Sequence, residues 1–251
     1  FIVGIPGIIF SILFFASVKE PKRGATDLND VSAEDQSLGK VLRRLYSTNT
    51  FVYLALATGL HVFCIYGLLN WAPSFLTRLH GMKSSDLGAL LGPIFGLGGA
   101  IGSFAGGFVT DHFGKKDKRL YLKIPAYAII LSIVFAAGTL FLQDTTASIV
   151  CLGCCAAFQS MYLGPSIAVA HSLVPASMRS LTSAVLFFVL NLVGLGLGPL
   201  VVGMISDQLA PTLGNESLRW AMSIIIVIGA ISTVLFSVSA KKLVADLNRS
   251  S

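Results

Sequence analysis

Two groups of residues in this 251-residue chain have types and spacing that could do chemistry. The first is a short basic loop, Gly107-Phe-Val-Thr-Asp111-His112-Phe-Gly114-Lys115-Lys116, followed by Asp117, Lys118 and Arg119. A glycine one turn before a carboxylate lets two helices approach closely and leaves the carboxylate free for a partner. A helix N-terminus is such a partner, through its free N–H groups and its dipole. The expected one is the apolar stretch that begins at Ser180, preceded by Pro175 and Arg179. A solvated aspartate ending a helix is the simpler reading.

The second group is polar but uncharged. It comprises His61, Tyr66, Asn70 and Trp71, then Gln159, Tyr162 and Ser166, then Asn191 beside Phe187 and Phe188. Tyr66 and Asn70 share a helix face at i, i+4. These side chains can line a cavity that is partly apolar and partly hydrogen-bonding, and His61, Tyr66, Asn70, Gln159, Tyr162 and Asn191 are the substrate-binding candidates. The competing role is bonding between helices, worth about 0.6–2 kcal/mol each. His61 and His171 are the groups able to titrate near neutral pH, although a lone membrane histidine also serves as a helix-bridging donor. No Asp, Glu, Lys or Arg falls in the middle of an apolar stretch, so a coupling acid is expected outside this chain.

Enzyme chemistry is not expected. There is no Gly-x-Ser-x-Gly and no His-Glu-x-x-His, and the apolar stretches lack paired carboxylates. Cys64, Cys151, Cys154 and Cys155 all lie in apolar stretches without histidines or a second pair at ligand spacing, which reads as helix packing rather than a metal site. No cofactor is implied.

The elements that must position these groups are membrane helices. The chain is 54% hydrophobic and 12% charged. Seven apolar stretches run at about 1–18, 51–77, 86–112, 120–142, 147–173, 181–206 and 218–240. Six of them reach the roughly 20 residues needed to cross a bilayer. The first is short and opens on Phe1, with no basic segment before it as a signal peptide would have. It is read as the end of a span, and the chain as a fragment lacking its N-terminal portion.

Loop charge is one-sided. Fifteen of the eighteen Lys and Arg residues fall in segments 19–49, 113–123, at Arg179 and in the tail, against Arg78, Lys83 and Arg219 on the other side. The positive-inside rule makes the first side cytoplasmic. Charges that flank apolar spans in this way do not form a nucleic-acid surface. Asn215-Glu-Ser217 is a glycosylation sequon on the other side, relevant only in a eukaryotic source.

Within 19–49, Pro21 to Asp35 reads as flexible linker. Leu38, Val41, Leu42, Leu45 and Tyr46 then recur at helical spacing opposite Lys40, Arg43 and Arg44. That predicts a short amphipathic helix on the membrane face or packed on the bundle. The expected organisation is a span end at 1–18, a cytoplasmic linker at 19–49, a six-span bundle at 50–242 and a cytoplasmic tail at 243–251. Gly98 and Gly102, and Gly194, Gly198 and Gly203 farther on, are spaced for close helix contact.

The basic loop resembles the loop signature of the major facilitator superfamily, G-x-x-x-D-R-x-G-R-R, with His112 in place of arginine and Lys115 and Lys116 as its final pair. The whole chain is similar to the C-terminal half of such a protein, spans six to twelve of twelve. Within the superfamily it is most similar to the Spinster-like branch. The residues are Gly67-Leu-Leu-Asn70-Trp71-Ala72-Pro73-Ser-Phe75-Leu76, Arg78, His80-Gly81, Gly106-Gly107 and Asp111, then Val174-Pro175, Arg179, Asn191, Gly194 and Gly198-Pro199.

The resemblance implies an all-α membrane fold, alternating access, and proton-linked movement of an amphipathic lipid. Its partners would be the bilayer, the small-molecule or lipid solute and the N-terminal six-span half. It also implies a cytoplasmic gate of Gly107, Asp111, Gly114, Lys115, Lys116 and Arg179 that stabilises the outward-open state. Organic-anion symporters and drug/proton antiporters of the same superfamily are the alternatives. A seven-helix receptor fits poorly, because the third stretch lacks a terminal Asp/Glu-Arg-Tyr and the seventh lacks Asn-Pro-x-x-Tyr.

Overall fold

The computed structural model describes residues 4–18 and 37–250, and every element among them is helical. The chain separates into two compact units, Phe1–Asp35 and Gln36–Ser251. In the first, α1 (Gly4–Ser17) is an apolar helix without a buried residue. The expected flexible linker lies outside the described residues.

The second unit opens with α2 (Leu38–Ser47), capped by the Ser37 side chain, which accepts from the Lys40 N–H at 3.4 Å. The amphipathic stripe divides in two: Val41 and Leu45 are buried in the bundle core, while Leu38 and Tyr46 stay exposed. Six traverses follow. They are α3 (Asn49–His80), α4 (Ser84–Gly114), α5 (Leu120–Phe141), α6 with α7 (Thr145–Gln159, Leu163–Ser172), α8 with α9 (Arg179–Val189, Gly198–Leu213), and α10 with α11 (Ser217–Met222, Ile224–Ser250). Four of these traverses are each long and apolar enough to cross a membrane. The last two form a single helical run, Ala176–Asn248, but 73 residues would extend about 110 Å, far more than one span. Gly214 breaks the run with φ +53, a conformation that other residues rarely adopt. Gly81, with φ +65, ends α3 by sending its N–H to the Leu76 carbonyl. At the start of α6 the Asp144 carboxylate accepts from the Ala147 N–H at 2.7 Å.

α3 is the hub, and it packs on α11 in antiparallel register with a heptad step. Cys64 Sγ donates to the Ile225 carbonyl at 3.4 Å, Ser232 Oγ to Ala57 at 2.8 Å, and Ser239 Oγ to Thr50 at 2.9 Å. A seven-residue repeat of contacts is the signature of left-handed packing of nearly antiparallel helices. The α5–α6 pair repeats the device, with Ser148 Oγ donating to Thr139 at 2.7 Å and Cys155 Sγ to Ser132 at 3.3 Å. Two of the four cysteines thus serve as weak donors between helices. The contact of α4 with α6 and the 3-10 turn that follows it, Ser160–Tyr162, runs on a four-residue step instead. Gly98, Gly102 and Gly106 face Ala156, Ala157 and Met161 so closely that side chains at Gly102 and Gly106 would enter backbone.

Two spans carry irregular segments at mid-length. The fifth apolar stretch, between α6 and α7, tightens into a 3-10 turn at Ser160–Tyr162, and the sixth, between α8 and α9, widens into a π-helical segment at Leu190–Leu197. Such departures are tolerated in a membrane where neighbouring helices cover the backbone.

Candidate functional site

Three of the six substrate-binding candidates meet inside the bundle. His61 is 1% exposed, and its Nε2 lies 2.8 Å from the carbonyl oxygen of Gln159. A carbonyl only accepts, so Nε2 carries the hydrogen. The Tyr162 ring stands edge-on to the imidazole at 4.7 Å between centroids. Gln159 and Tyr162 are themselves buried. This cluster fastens α3 to the irregular part of the fifth span, and in this conformation it is closed to a solute.

The other three lie on accessible or half-accessible surface. Tyr66 is half-buried, and Asn70 and Asn191 are exposed. Asn70 Nδ2 donates to the Tyr66 carbonyl at 2.9 Å, and Asn191 Nδ2 donates to the Phe187 carbonyl at 2.8 Å. Each amide therefore spends one hydrogen on its own helix and keeps an oxygen and a second N–H for another partner. Asn191 sits within the π-helical segment, whose Gly194 packs on Val62, and Gly198 at the start of α9 packs on Phe63. Trp71, in the Trp-Ala-Pro run, donates from Nε1 to the Pro199 carbonyl at 2.9 Å and leans on Gly203. Its role in this structure is to seat α9 on α3.

In the basic loop the structure assigns Asp111 a different hydrogen-bond partner from the one expected. Its carboxylate is exposed and accepts from the Tyr121 hydroxyl at 3.0 Å. The bond found is to α5 rather than to the start of α8 near Arg179. Tyr121 also lays its ring on Gly114, where any Cβ would collide with it, and Lys118 stands 5.8 Å over the same ring. Gly107 faces open space, whereas its neighbour Gly106 is the residue pressed on Met161. Lys115, Lys116 and Arg179 are exposed. His112, in the family's arginine position, stacks on Phe108 at 6.4 Å and meets Phe113 edge-on at 5.0 Å.

Two more histidines bridge spans. His171 Nε2 lies 2.6 Å from Ser183 Oγ, joining α7 to α8, and His80 Nδ1 lies 3.1 Å from Thr145 Oγ1, joining α3 to α6. Ser217 of the sequon is buried, with its hydroxyl 3.4 Å from that of Ser206.

The structure also draws attention to residues the sequence reading passed over. Tyr121 is one, signalled only by being the first aromatic after the loop. Asp207 is another: the sixth span continues past residue 206 to Leu213, so this exposed carboxylate lies inside α9. Asp246 is a third. It is nearly buried and bonded to Thr50 across the bundle.

Comparison with known proteins supplies the family. A 30%-identical segment of 161 residues, 64% of this chain and 37% of the other, matches an MFS-type efflux pump of Mycolicibacterium smegmatis. A hexuronate transporter of Bacillus subtilis is 27% identical over 82% of this chain and 50% of its own length. A spinster homolog 1 protein of Xenopus tropicalis is 23% identical over 97% and 50% respectively. The chain thus spans half or less of the length of these relatives. Among solved structures, a bacterial homologue of the human lysosomal transporter Spinster, inward-facing and unoccupied, superposes with TM-score 0.77 at 23% identity. That match covers 98% of this chain and 59% of the other. FucP, an MFS transporter in the outward conformation, superposes with TM-score 0.66 at 16% identity over 92% and 52%. The sequence profile of the Major Facilitator Superfamily matches residues 1–199, and the chain belongs to that family.

Proposed function

We propose that this chain is the C-terminal half of a secondary active transporter that works by alternating access, with its basic end in the cytoplasm. The observation that carries this reading is the pairing of polar side chains with helix irregularities around the middle of α3. His61 holds the 3-10 turn of the fifth span, while Val62 holds the π-helical segment of the sixth and Phe63 the start of α9 just after it. Transporters of inverted-repeat design place solute sites at such mid-membrane breaks. Asn70, Asn191 and Tyr66 supply the accessible, uncharged hydrogen-bonding groups for the solute. His61, Gln159 and Tyr162 form the layer behind them.

The solute is an amphipathic, lipid-like molecule or an organic anion, moved with protons. An uncharged and partly aromatic wall suits an amphiphile, which is also what the Spinster-like resemblance implies. The hexuronate relative favours the organic anion, and the efflux relative a drug antiporter. Gly107, Asp111, Gly114, Lys115, Lys116 and Arg179 form one side of a cytoplasmic gate whose other side is the N-terminal half.

Uptake by the full-length protein in proteoliposomes under a pH gradient, comparing a lysophospholipid with small organic anions, tests the reading. Movement of the lipid supports the first solute class and movement of only an anion the second. No movement of either overturns both. Replacing Asn70 and Asn191 together with alanine should lower uptake at least about tenfold, the loss of two hydrogen bonds of roughly 1 kcal/mol each. Full uptake at normal expression would sink their assignment.

A further inference from the structure

We propose that the pocket at the basic end of the bundle, where α5, α7 and α11 meet, holds one anionic phospholipid of the surrounding bilayer. The lipid is bound and not carried, so the solute does not enter the argument.

The pocket has a volume of about 230 Å³ and is lined by Lys118, Tyr121, Ala168, Val169, Leu243 and Leu247. That is smaller than the usual site of a soluble small molecule, and it suits the upper part of one acyl chain. Ser172 completes the lining. Both hydroxyls of the wall are spent: Tyr121 Oη donates to the Asp111 carboxylate at 3.0 Å, and Ser172 Oγ to the Val169 carbonyl at 2.7 Å. Lys118 is the remaining side-chain donor. Its Nζ stands 5.8 Å over the Tyr121 ring. That contact holds the ammonium at the pocket and leaves its N–H groups for an anion.

The carboxylates of these segments already have hydrogen-bond partners within the protein. Asp111 has Tyr121, Asp117 Oδ1 accepts from the Arg119 N–H at 2.9 Å, and Asp246 Oδ2 accepts from Thr50. Among the described residues no ion pair engages Lys118, Lys123 or Lys241.

The surface around the pocket identifies the occupant as a membrane lipid. Tyr127, Ile130 and Val134 are exposed on α5, and Val227, Ile231 and Val234 are exposed on α11. Steps of three and four keep each set on one helix face. Four residues from Tyr127 toward the pocket, the α5 stripe reaches Lys123; seven residues beyond Val234, the α11 stripe reaches Lys241. Apolar stripes that end in lysine are the pattern of lipid-facing helices with cations at the level of the head groups. None of the solute or gate candidates lies on either helix. Cations at the rim and hydrocarbon behind them select a lipid with a negative head, and basic pockets between membrane helices bind such heads.

The test is native mass spectrometry of the delipidated full-length protein, titrated in detergent with phosphatidylglycerol or phosphatidylcholine. Wild type should bind one phosphatidylglycerol at least about tenfold more tightly than phosphatidylcholine. Lys118→Gln should weaken phosphatidylglycerol binding about fivefold, the worth of one lysine at an anionic head, and Lys118→Arg should restore it. Ala168→Phe sets a ring in the pocket from an exposed position and should weaken binding as much. Lys116→Gln, which removes a cation of the same loop outside the lining, should leave binding close to wild type.

Equal binding of the two lipids by wild type overturns the inference, as does unchanged binding in Lys118→Gln. An equal loss in Lys118→Gln and Lys116→Gln also overturns it, marking diffuse attraction to a basic surface. Full binding in Ala168→Phe would place the chain elsewhere, and displacement of the lipid by an equal concentration of inorganic phosphate would mark a free-anion site; either overturns it. Transport is scored separately. The expected binding pattern in a protein that moves neither solute class upholds the site and counts only against the proposed transport.

Discussion

His61 and Gln159 join the second and fifth apolar stretches by one buried hydrogen bond, from imidazole Nε2 to a backbone carbonyl 2.8 Å away. The remaining ring nitrogen, Nδ1, is buried without a hydrogen-bond partner among the described residues. The next residue, Val62, presses on Gly194 in the π-helical segment of the sixth stretch. Two consecutive residues of α3 therefore each hold a different irregular segment. Movement of either span relative to α3 must break or carry one of these contacts.

Removing the His61 bond should cost stability before it costs proton coupling. In His61→Ala the Gln159 carbonyl loses its donor and a ring-sized space opens, a penalty of about 1–3 kcal/mol from the unsatisfied group alone. His61→Gln can still donate from its amide and should recover most of the loss. Thermal unfolding of the detergent-purified full-length protein should rank wild type, Gln, Ala in falling order. The pH profile of transport should keep its shape in His61→Gln. A profile that loses one limb would make His61 a proton carrier and refute the fastening role.

Neighbouring glycines of the loop motif should behave in opposite ways. At Gly106 a methyl group would enter the Met161 backbone, while at Gly107 it would meet nothing. Gly106→Ala should therefore lower the unfolding temperature, by overpacking worth about 1–3 kcal/mol. Gly107→Ala should unfold within about 0.5 kcal/mol of wild type yet slow transport, if its open face receives the N-terminal half. Equal thermal losses in the two variants would mean that Gly107 is packed inside this half.

Much of this was legible in the residues, and the exceptions share a cause. Apolar run length marked the six traverses, because a bilayer sets the length and tolerates few charges. The four-residue spacing of Gly98 and Gly102 announced the close α4–α6 contact. What spacing cannot convey is register between distant helices. Whether Gly106 or Gly107 is the packed residue depends on a rotation of 100° about α4, fixed by Met161 far along the chain. Tyr121 as partner of Asp111, and Asp246 as partner of Thr50, are likewise products of packing. The π-helical segment has no periodic signature, since leucine and glycine suit α and π geometry alike.

Tyr121 holds Asp111 in the structure, so freeing it should change the gate. Tyr121→Phe keeps the ring on Gly114 and removes only the hydroxyl that donates to the carboxylate. Fold stability should be little changed, because the bond is exposed and worth about 1 kcal/mol or less. Asp111→Asn removes the charge that the gate reading requires and should shift the full-length protein toward inward-open. The two variants should then move oppositely in cysteine accessibility at cytoplasmic positions, with Tyr121→Phe lowering it and Asp111→Asn raising it. Identical shifts would mean that the Tyr121–Asp111 bond is itself the gate contact, and no shift in either would remove Asp111 from the gate.

Asp246 caps a helix that begins almost two hundred residues earlier. Its Oδ2 accepts from the Thr50 N–H at 2.9 Å and from the Thr50 hydroxyl at 2.7 Å. Thr48 at the start of α3 offers no side-chain cap of its own, so the second residue of that helix is satisfied by α11. The carboxylate is 9% exposed and Thr50 fully buried, which makes the orphaned donors in Asp246→Ala costly, about 1–3 kcal/mol. Asp246→Asn retains an acceptor and should fall between the alanine variant and wild type. Thr50→Val removes the hydroxyl half of the pair. A double-mutant cycle on thermal stability between Thr50→Val and Asp246→Ala should show coupling of about 0.5 kcal/mol or more, as groups in one network do. Strict additivity would mean that Thr50 and Asp246 do not act as one pair, leaving the Cys64, Ser232 and Ser239 contacts as the hydrogen bonds that hold the C-terminal helix to α3.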